Sequence, residues 1–154
     1  PSGHIPFARQ LELWITDGNT TKKIIYTSDL GNIHLPKPYT KPYKSIFDQR
    51  ADIVIAESTY AHEEKIANKK MRKKDLEKLR IVVEQTCIEQ KRRILIPSFA
   101  LARTQEIVTV LYDLFSKENF DIPIYIDSPM GRNISSAYCD VLEGEELEKW
   151  KKTH

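Results

Sequence analysis

The apolar and polar positions along the chain fall into two regimes. In the first thirty residues they alternate. Leu11, Leu13 and Ile15 alternate with Glu12 and Trp14, a polar "DGNTT" follows, and Ile24-Ile25-Tyr26 resumes the apolar run. This pattern predicts a β-hairpin over "RQLELWITDGNTTKKIIYTSDL". "GNIHLPKPYTKPYKS" has three prolines and no period, and reads as a surface loop. From Ala51 onward the period changes. "ADIVIAEST" holds the continuous apolar run Ile53-Val54-Ile55, as a strand buried in a parallel sheet does.

A long polar helix is expected over roughly residues 63–91, with Leu76, Leu79, Val83 and Cys87 on one face. "RRILIPSF" reads as a strand stopped by Pro97. A helix follows, with Ile107, Val108, Leu111, Leu114 and Phe115 on one side. "IPIYIDSP" is a further strand. "GRNISSAYCDVL" opens another helix, with Ile134, Ala137, Tyr138, Val141 and Leu142 in phase and Cys139 on its apolar face. The expected fold is α/β: an antiparallel hairpin, then βαβ units on a mainly parallel sheet. Ligands of such sheets bind beyond the carboxyl ends of the strands, where Asp29, Glu57, Ser98 and Asp127-Ser128 stand.

Composition narrows the class without naming the chemistry. The 154 residues are 40% hydrophobic and 30% charged, which suits one globular domain or pieces of two. A net charge of +2 does not mark a strongly basic nucleic-acid binder. Cys87 and Cys139 form no CxxC, so a reducing compartment, the cytoplasm, is the default. No apolar run approaches the ~20 residues of a membrane span, and no secretory signal is visible. The chain opens on "PSGHIPFARQ" and closes on "EGEELEKWKKTH". Both read as cuts through continuing structure, so an internal fragment is expected.

Three residues punctuate the first sixty: His4 in "SGHIPFA", Asp29 in "YTSDLGN" and Glu57 in "IAESTYA". Their order and strand-end placement resemble the metallo-β-lactamase superfamily, in particular its β-CASP branch of nucleic-acid-processing hydrolases. The resemblance continues through "IPSFALARTQEIVTVLYDL" and "IYIDSPMG", over essentially the whole chain. It implies that residues 1–60 end the first metallo-β-lactamase segment and that residues 61–154 begin the β-CASP domain. It implies that His4 binds one zinc, that Asp29 bridges two, and that Glu57 orients a histidine from a later motif. Paired divalent ions suit hydrolysis of a phosphoryl ester. Zinc takes imidazole and carboxylate ligands at about 2.0–2.2 Å.

The sequence departs from the family pattern at Phe7, usually a small residue, and at Ser28 and Ala61, usually glycines. It contains no HxHxDH; its four histidines are His4, His34, His62 and His154. With one His and one Asp, the stretch falls short of the three protein ligands of a catalytic zinc site, and no activity is expected of it alone. The implied function of the parent is zinc-dependent cleavage of RNA. RNA is favoured over DNA because Glu57 with Ser-Thr-Tyr looks like the RNA-processing branch.

Two rivals stand beside this reading. One is another hydrolase of the same fold. The other is an inactive scaffold subunit in an RNA-processing complex. A homo-oligomer is left open.

Ordinary roles stand beside each functional one. Asp29 before Leu-Gly-Asn suits a turn, and Glu57 suits a strand–helix junction. Ser98, Arg103 and Ser128 are candidate substrate contacts. Arg103 and Gln105 could equally tie their helix to the sheet, and Asp127 could cap the helix beginning near Gly131. "KIANKKMRKK", residues 65–74, is either a solvated helix face or a contact for RNA phosphates.

Overall fold

A computed structural model of the chain describes residues 1–31, 50–61, 69–118 and 122–154. The proline-rich loop beyond Gly31, His34, His62 and the start of the basic cluster, residues 65–68, lie outside the described residues. Within the chain, two compact units form, Pro1–Lys69 and Lys70–His154.

The first unit is built on three strands: β1 (Leu11–Asp17), β2 (Thr20–Tyr26) and β3 (Ile53–Ile55). β1 and β2 pair antiparallel from Leu11↔Tyr26 to Asp17↔Thr20, as the alternation predicts. Gly18 takes φ +56 in the tight turn between them, a conformation open to residues without a Cβ. β3 adds parallel to β2, with Ile24 opposite Ile53 and Tyr26 opposite Ile55. Asp52 secures this junction. Its carboxylate accepts Lys23 N–H at 2.8 Å and Lys22 Nζ at 2.9 Å, and its own amide donates to Lys23 O.

The second unit is helical. α1 (Lys69–Val83) widens into a π-helical stretch over Glu84–Glu89. α2 (Arg103–Phe115), α3 (Pro129–Tyr138) and α4 (Gly144–Thr153) follow, and α2 packs against both α3 and α4. Trp150, 1% exposed, is the largest buried side chain, and it stacks on Tyr138 with ring centroids 4.5 Å apart. Phe115, Val108, Leu142 and Val83 are buried with them. Arg80 of α1 lies over the Phe115 ring and pairs with Glu84 and Glu118. Among the described residues, no helix is long and apolar enough to cross a membrane.

The structure departs from the sequence pattern in three places. "RRILIPSF" and "IPIYIDSP" form no strand among the described residues, so the expected mainly parallel second sheet is absent there. Their apolar side chains stay in water, Leu95 at 90% and Tyr125 at 86% exposure. An apolar β-like run becomes a strand only when a neighbour offers its backbone edge, and no described strand lies beside these. β3 is parallel as expected but its side chains are exposed; among the described residues it is an edge strand that pairs with β2. Cys139, Ala137 and Val141 are exposed rather than core. α3 ends at Tyr138, so the helical phase no longer assigns faces to Cys139 and Val141, while Ala137 lies in the last turn of α3 on an exposed face.

The buried Trp150 stack makes a direct test of the second unit. Trp150→Ala is expected to cost about 3–5 kcal/mol of unfolding free energy. Urea unfolding followed by far-UV circular dichroism measures it; a loss below about 1 kcal/mol would contradict the stack's central place.

Candidate functional site

The first unit brings His4, Asp29 and Glu57 together. The mechanism begins at the end of β2. Thr27, fully buried, donates its amide to Ile55 O at 3.0 Å and so extends the β2–β3 ladder by one bond. Its hydroxyl accepts Glu57 N–H at 3.2 Å and donates to Ser28 O at 2.9 Å. The chain then turns sharply. Ser28 takes φ +54, in the left-handed region that costs a residue with a Cβ about 1–2 kcal/mol. The next residue, Asp29, projects into solvent with its side chain 74% exposed.

Two other segments grip this turn. Leu30 forms an isolated antiparallel bridge with Gly3, and Gly31 N–H donates to Ser2 O at 2.8 Å. Leu30 N–H donates to Glu57 Oε1 at 3.3 Å. The other Glu57 oxygen accepts Thr59 N–H at 2.9 Å, so the carboxylate ties the Asp29 turn to the segment after β3. The Thr59 amide, the Leu30 amide and the nearby His4 hold the Glu57 carboxyl below its ordinary 4.5, against an opposing push from desolvation.

His4 follows Gly3 directly, and its Nε2 lies 3.9 Å from Asp29 Oδ2. The imidazole is 40% exposed, so both donors are open to solvent. Family resemblance implies metal here, and the donor chemistry can be tested against one. Two bonds of about 2.0–2.2 Å span at most ~4.2 Å, and a tetrahedral angle brings the donors to ~3.4 Å. At 3.9 Å one ion could touch both atoms only with the angle opened to about 135°, well beyond tetrahedral. The pair therefore fits zinc in the kind of its donors, and the separation is wider than a tetrahedral ion sets. It supplies two protein ligands where a catalytic site has at least three. Among the described residues no group of three or more His, Cys, Asp or Glu side chains could hold a metal ion.

Ser98, Arg103 and Ser128 belong to the second unit, and each has a local partner. Ser98 Oγ is 3.0 Å from Thr104 Oγ1. Arg103, about half exposed, pairs with Glu106 one turn along α2. Ser128 is the N-cap of α3, its Oγ accepting Gly131 N–H at 3.0 Å, and Pro129 is the first helical residue. Asp127, the residue the sequence offered as a cap, is exposed beside it. Gln105 joins helix to helix rather than helix to sheet. Its amide nitrogen lies near Ala100 O, Gly131 O and Ser135 Oγ at 3.1–3.3 Å.

Thr27 and Ser2 are the residues that sequence reasoning missed. Each is buried beside the site. The signal for Thr27 was present: a β-branched hydroxyl residue between the strand and the acid in "YTSD", placed to bond the next segment.

Comparison with known proteins agrees with the family resemblance. The chain is 32% identical over 140 residues to Ribonuclease TTHA0252 of Thermus thermophilus, covering 89% of this chain and 28% of that protein. It is 32% identical over 124 residues to Cleavage and polyadenylation specificity factor 73 of Drosophila melanogaster, covering 75% of this chain and 16% of that protein. Transcription termination factor FttA of Pyrococcus horikoshii is 31% identical over 143 residues, 92% of this chain and 21% of its own length. The chain thus spans less than a third of the length of these relatives. No family model matches it.

Two stability tests follow from the clamp. Ser28→Gly keeps the turn and removes the left-handed penalty, so it should stabilise by about 1 kcal/mol. A lowered melting temperature would contradict that assignment. The Glu57 carboxyl is depressed in the folded state, so the unfolded chain binds its proton more readily. Its contribution is full above the ordinary carboxyl range and disappears as pH falls through the lower folded value. Thermal melts between pH 7 and 3 should show acid destabilisation that is shallower in Glu57→Gln; identical slopes would remove Glu57 from the clamp.

Proposed function

The chain belongs to the β-CASP branch of the metallo-β-lactamase superfamily, and from that premise we propose that the whole protein hydrolyses phosphodiester bonds in RNA with zinc. The observation that carries the proposal is the approach of His4 to Asp29 at the end of β2, with Glu57 bonded into the same turn. The naming of one relative as a ribonuclease supports the reaction class.

In this reading His4 and Asp29 would help hold the zinc ions, the role the family resemblance implies for them. Zinc, when bound, supplies Lewis acidity toward a phosphoryl oxygen and makes hydroxide accessible near neutral pH. Glu57 is not a ligand. It holds the Asp29 turn through the Leu30 amide, and its remaining lone pairs are free to orient a histidine. Ser98, Arg103 and Ser128 are assigned to the substrate side on the motif resemblance. Their local partners support a structural role beside that one. With two metal ligands, the 154 residues by themselves are inferred not to cleave RNA.

The first half is read as the end of a metallo-β-lactamase segment and the second as the start of a β-CASP domain. The unpaired cysteines Cys87 and Cys139 support a cytoplasmic setting. An inactive scaffold remains the rival. Ser28 weighs against it, because the serine keeps the left-handed turn that the family's glycine would make.

The test is cleavage of labelled RNA by the full-length protein in the presence of zinc, with DNA of the same sequence as comparator. Asp29→Ala should abolish cleavage, a loss of several orders of magnitude, while the circular dichroism spectrum is retained. Cleavage at the unaltered rate in that variant would sink the metal assignment. An inert wild-type protein that still binds RNA would favour the scaffold.

A further inference from the structure

Phe7 stands in a turn that favours glycine. Ala8 N–H donates to Ile5 O at 3.2 Å and closes the four residues Ile5-Pro6-Phe7-Ala8. Proline in the second place and a positive φ in the third are the marks of a type II turn, whose third place usually holds glycine or asparagine. Phe7 takes φ +66 there, and a bulky side chain is an outlier in that region. Burial offsets little of the strain, because the residue is 60% exposed. Among the described residues its ring stacks on no other. Strain held at an exposed side chain, with little gain in the folded state, points to a role outside the fold.

The turn is fixed to the candidate site. Ser2 N–H donates to Ala8 O at 2.9 Å, so the turn is tied back to the residue before Gly3. Gly3 bridges Leu30, and Ser2 O accepts Gly31 N–H. The loop carrying Phe7 thus stands on the two segments that present His4 and Asp29. His4 is three residues away, so even a fully extended chain would place Phe7 within ~11 Å of it. Arg9 follows two residues later, exposed and in no ion pair among the described residues. Single-stranded nucleic acid is held by this combination: a base stacks on an aromatic face, and a nearby cation attracts the phosphates. The unpaired cation favours a nucleotide over an apolar protein surface.

We propose that Phe7 is a substrate-binding residue: its exposed ring stacks on one nucleobase of the RNA, a few nucleotides from the His4–Asp29 pair. The proposal rests on the RNA reading above, and its test separates the two.

The full-length protein is titrated with labelled single-stranded RNA and followed by fluorescence anisotropy, with chelator present to keep the RNA intact. Phe7→Leu keeps an apolar side chain on the same backbone but has no π face. Its affinity should fall roughly 5- to 100-fold, the worth of one stacked base. Phe7→Tyr keeps the π face and should bind like the wild type. Single abasic sites scanned along the RNA locate the base. One position should cost the wild type the same factor and cost Phe7→Leu nothing further.

A folded Phe7→Leu that binds RNA like the wild type overturns the proposal. So does a Phe7→Leu penalty that adds in full to that of every abasic site. Loss of a protein partner in Phe7→Leu, with RNA affinity unchanged, assigns the ring to a protein surface and also overturns it. A wild-type protein that binds no RNA fails the RNA reading itself, and Phe7 with it. Should Phe7→Leu not fold, Phe7→Gly decides, because it removes the ring and relaxes the turn. It should weaken RNA binding by the same factor without lowering the melting temperature, a combination that a merely structural ring would not give. Unweakened binding in Phe7→Gly overturns the proposal.

Discussion

The first unit depends on the hold exerted on the peptide groups of Leu30 and Gly31. One amide is given to Glu57 and the next to Ser2 O. Between them they fix a turn whose preceding residue, Ser28, is in the left-handed region without being glycine. The strain there is about 1–2 kcal/mol. Each hydrogen bond returns about 0.5–1.5 kcal/mol net. Two or three such bonds therefore suffice to hold the turn, with little to spare. The carboxylate of Asp29 stays exposed, with His4 Nε2 3.9 Å away.

The second unit solves a different problem. Its central helix, α2, turns a mixed face inward: Val108 and Phe115 are buried beside Thr104, Gln105 and Thr109. A buried amide or hydroxyl without a partner costs about 1–3 kcal/mol. The helix avoids most of that cost locally. Thr104 Oγ1 donates to Phe99 O, and Thr109 Oγ1 donates to Gln105 O. Gln105 spends its nitrogen across the gap on α3, although its Oε1 is buried without a partner. Polar residues thus fix the register of α2 against α3. The aromatic stack of Tyr138 and Trp150 supplies apolar burial between α3 and α4.

Legibility followed the locality of the physics. The hairpin could be read because alternation and a turn glycine are local signals. The faces of α1 and α2 could be read because 3.6-residue spacing is local too: Val83, Val108 and Phe115 are buried as their phases require. The runs around Leu95 and Tyr125 were read as strands because their side chains are β-like, but strand formation is decided by a neighbouring edge. The left-handed residues were illegible for a sharper reason. Phe7, Ser28, Lys91 and Ala102 all have φ between 54 and 66, and residue type argues against each. At the candidate site, motif order singled out His4, Asp29 and Glu57, which the structure brings together. Thr27 and Ser2 were not singled out, because their work is to bond backbone, which any sequence offers.

Exposure across the candidate site is graded. Thr27 is fully buried and anchors the backbone. Glu57 is half-buried, with both oxygens bonded to amides. His4 is 40% exposed and Asp29 74%. Rigidity is thus set in the interior and handed outward through hydrogen bonds to donors that remain open to solvent. A ligand held by its own burial would have to shed water before an ion arrived, and a charged group pays heavily for that. A ligand held only by its side-chain rotamers would lose conformational entropy on binding. Fixing the backbone of an exposed carboxylate limits both costs. The same design makes the donor distance sensitive to backbone packing, and the interior of this turn is therefore as much a part of the site as the two atoms it presents.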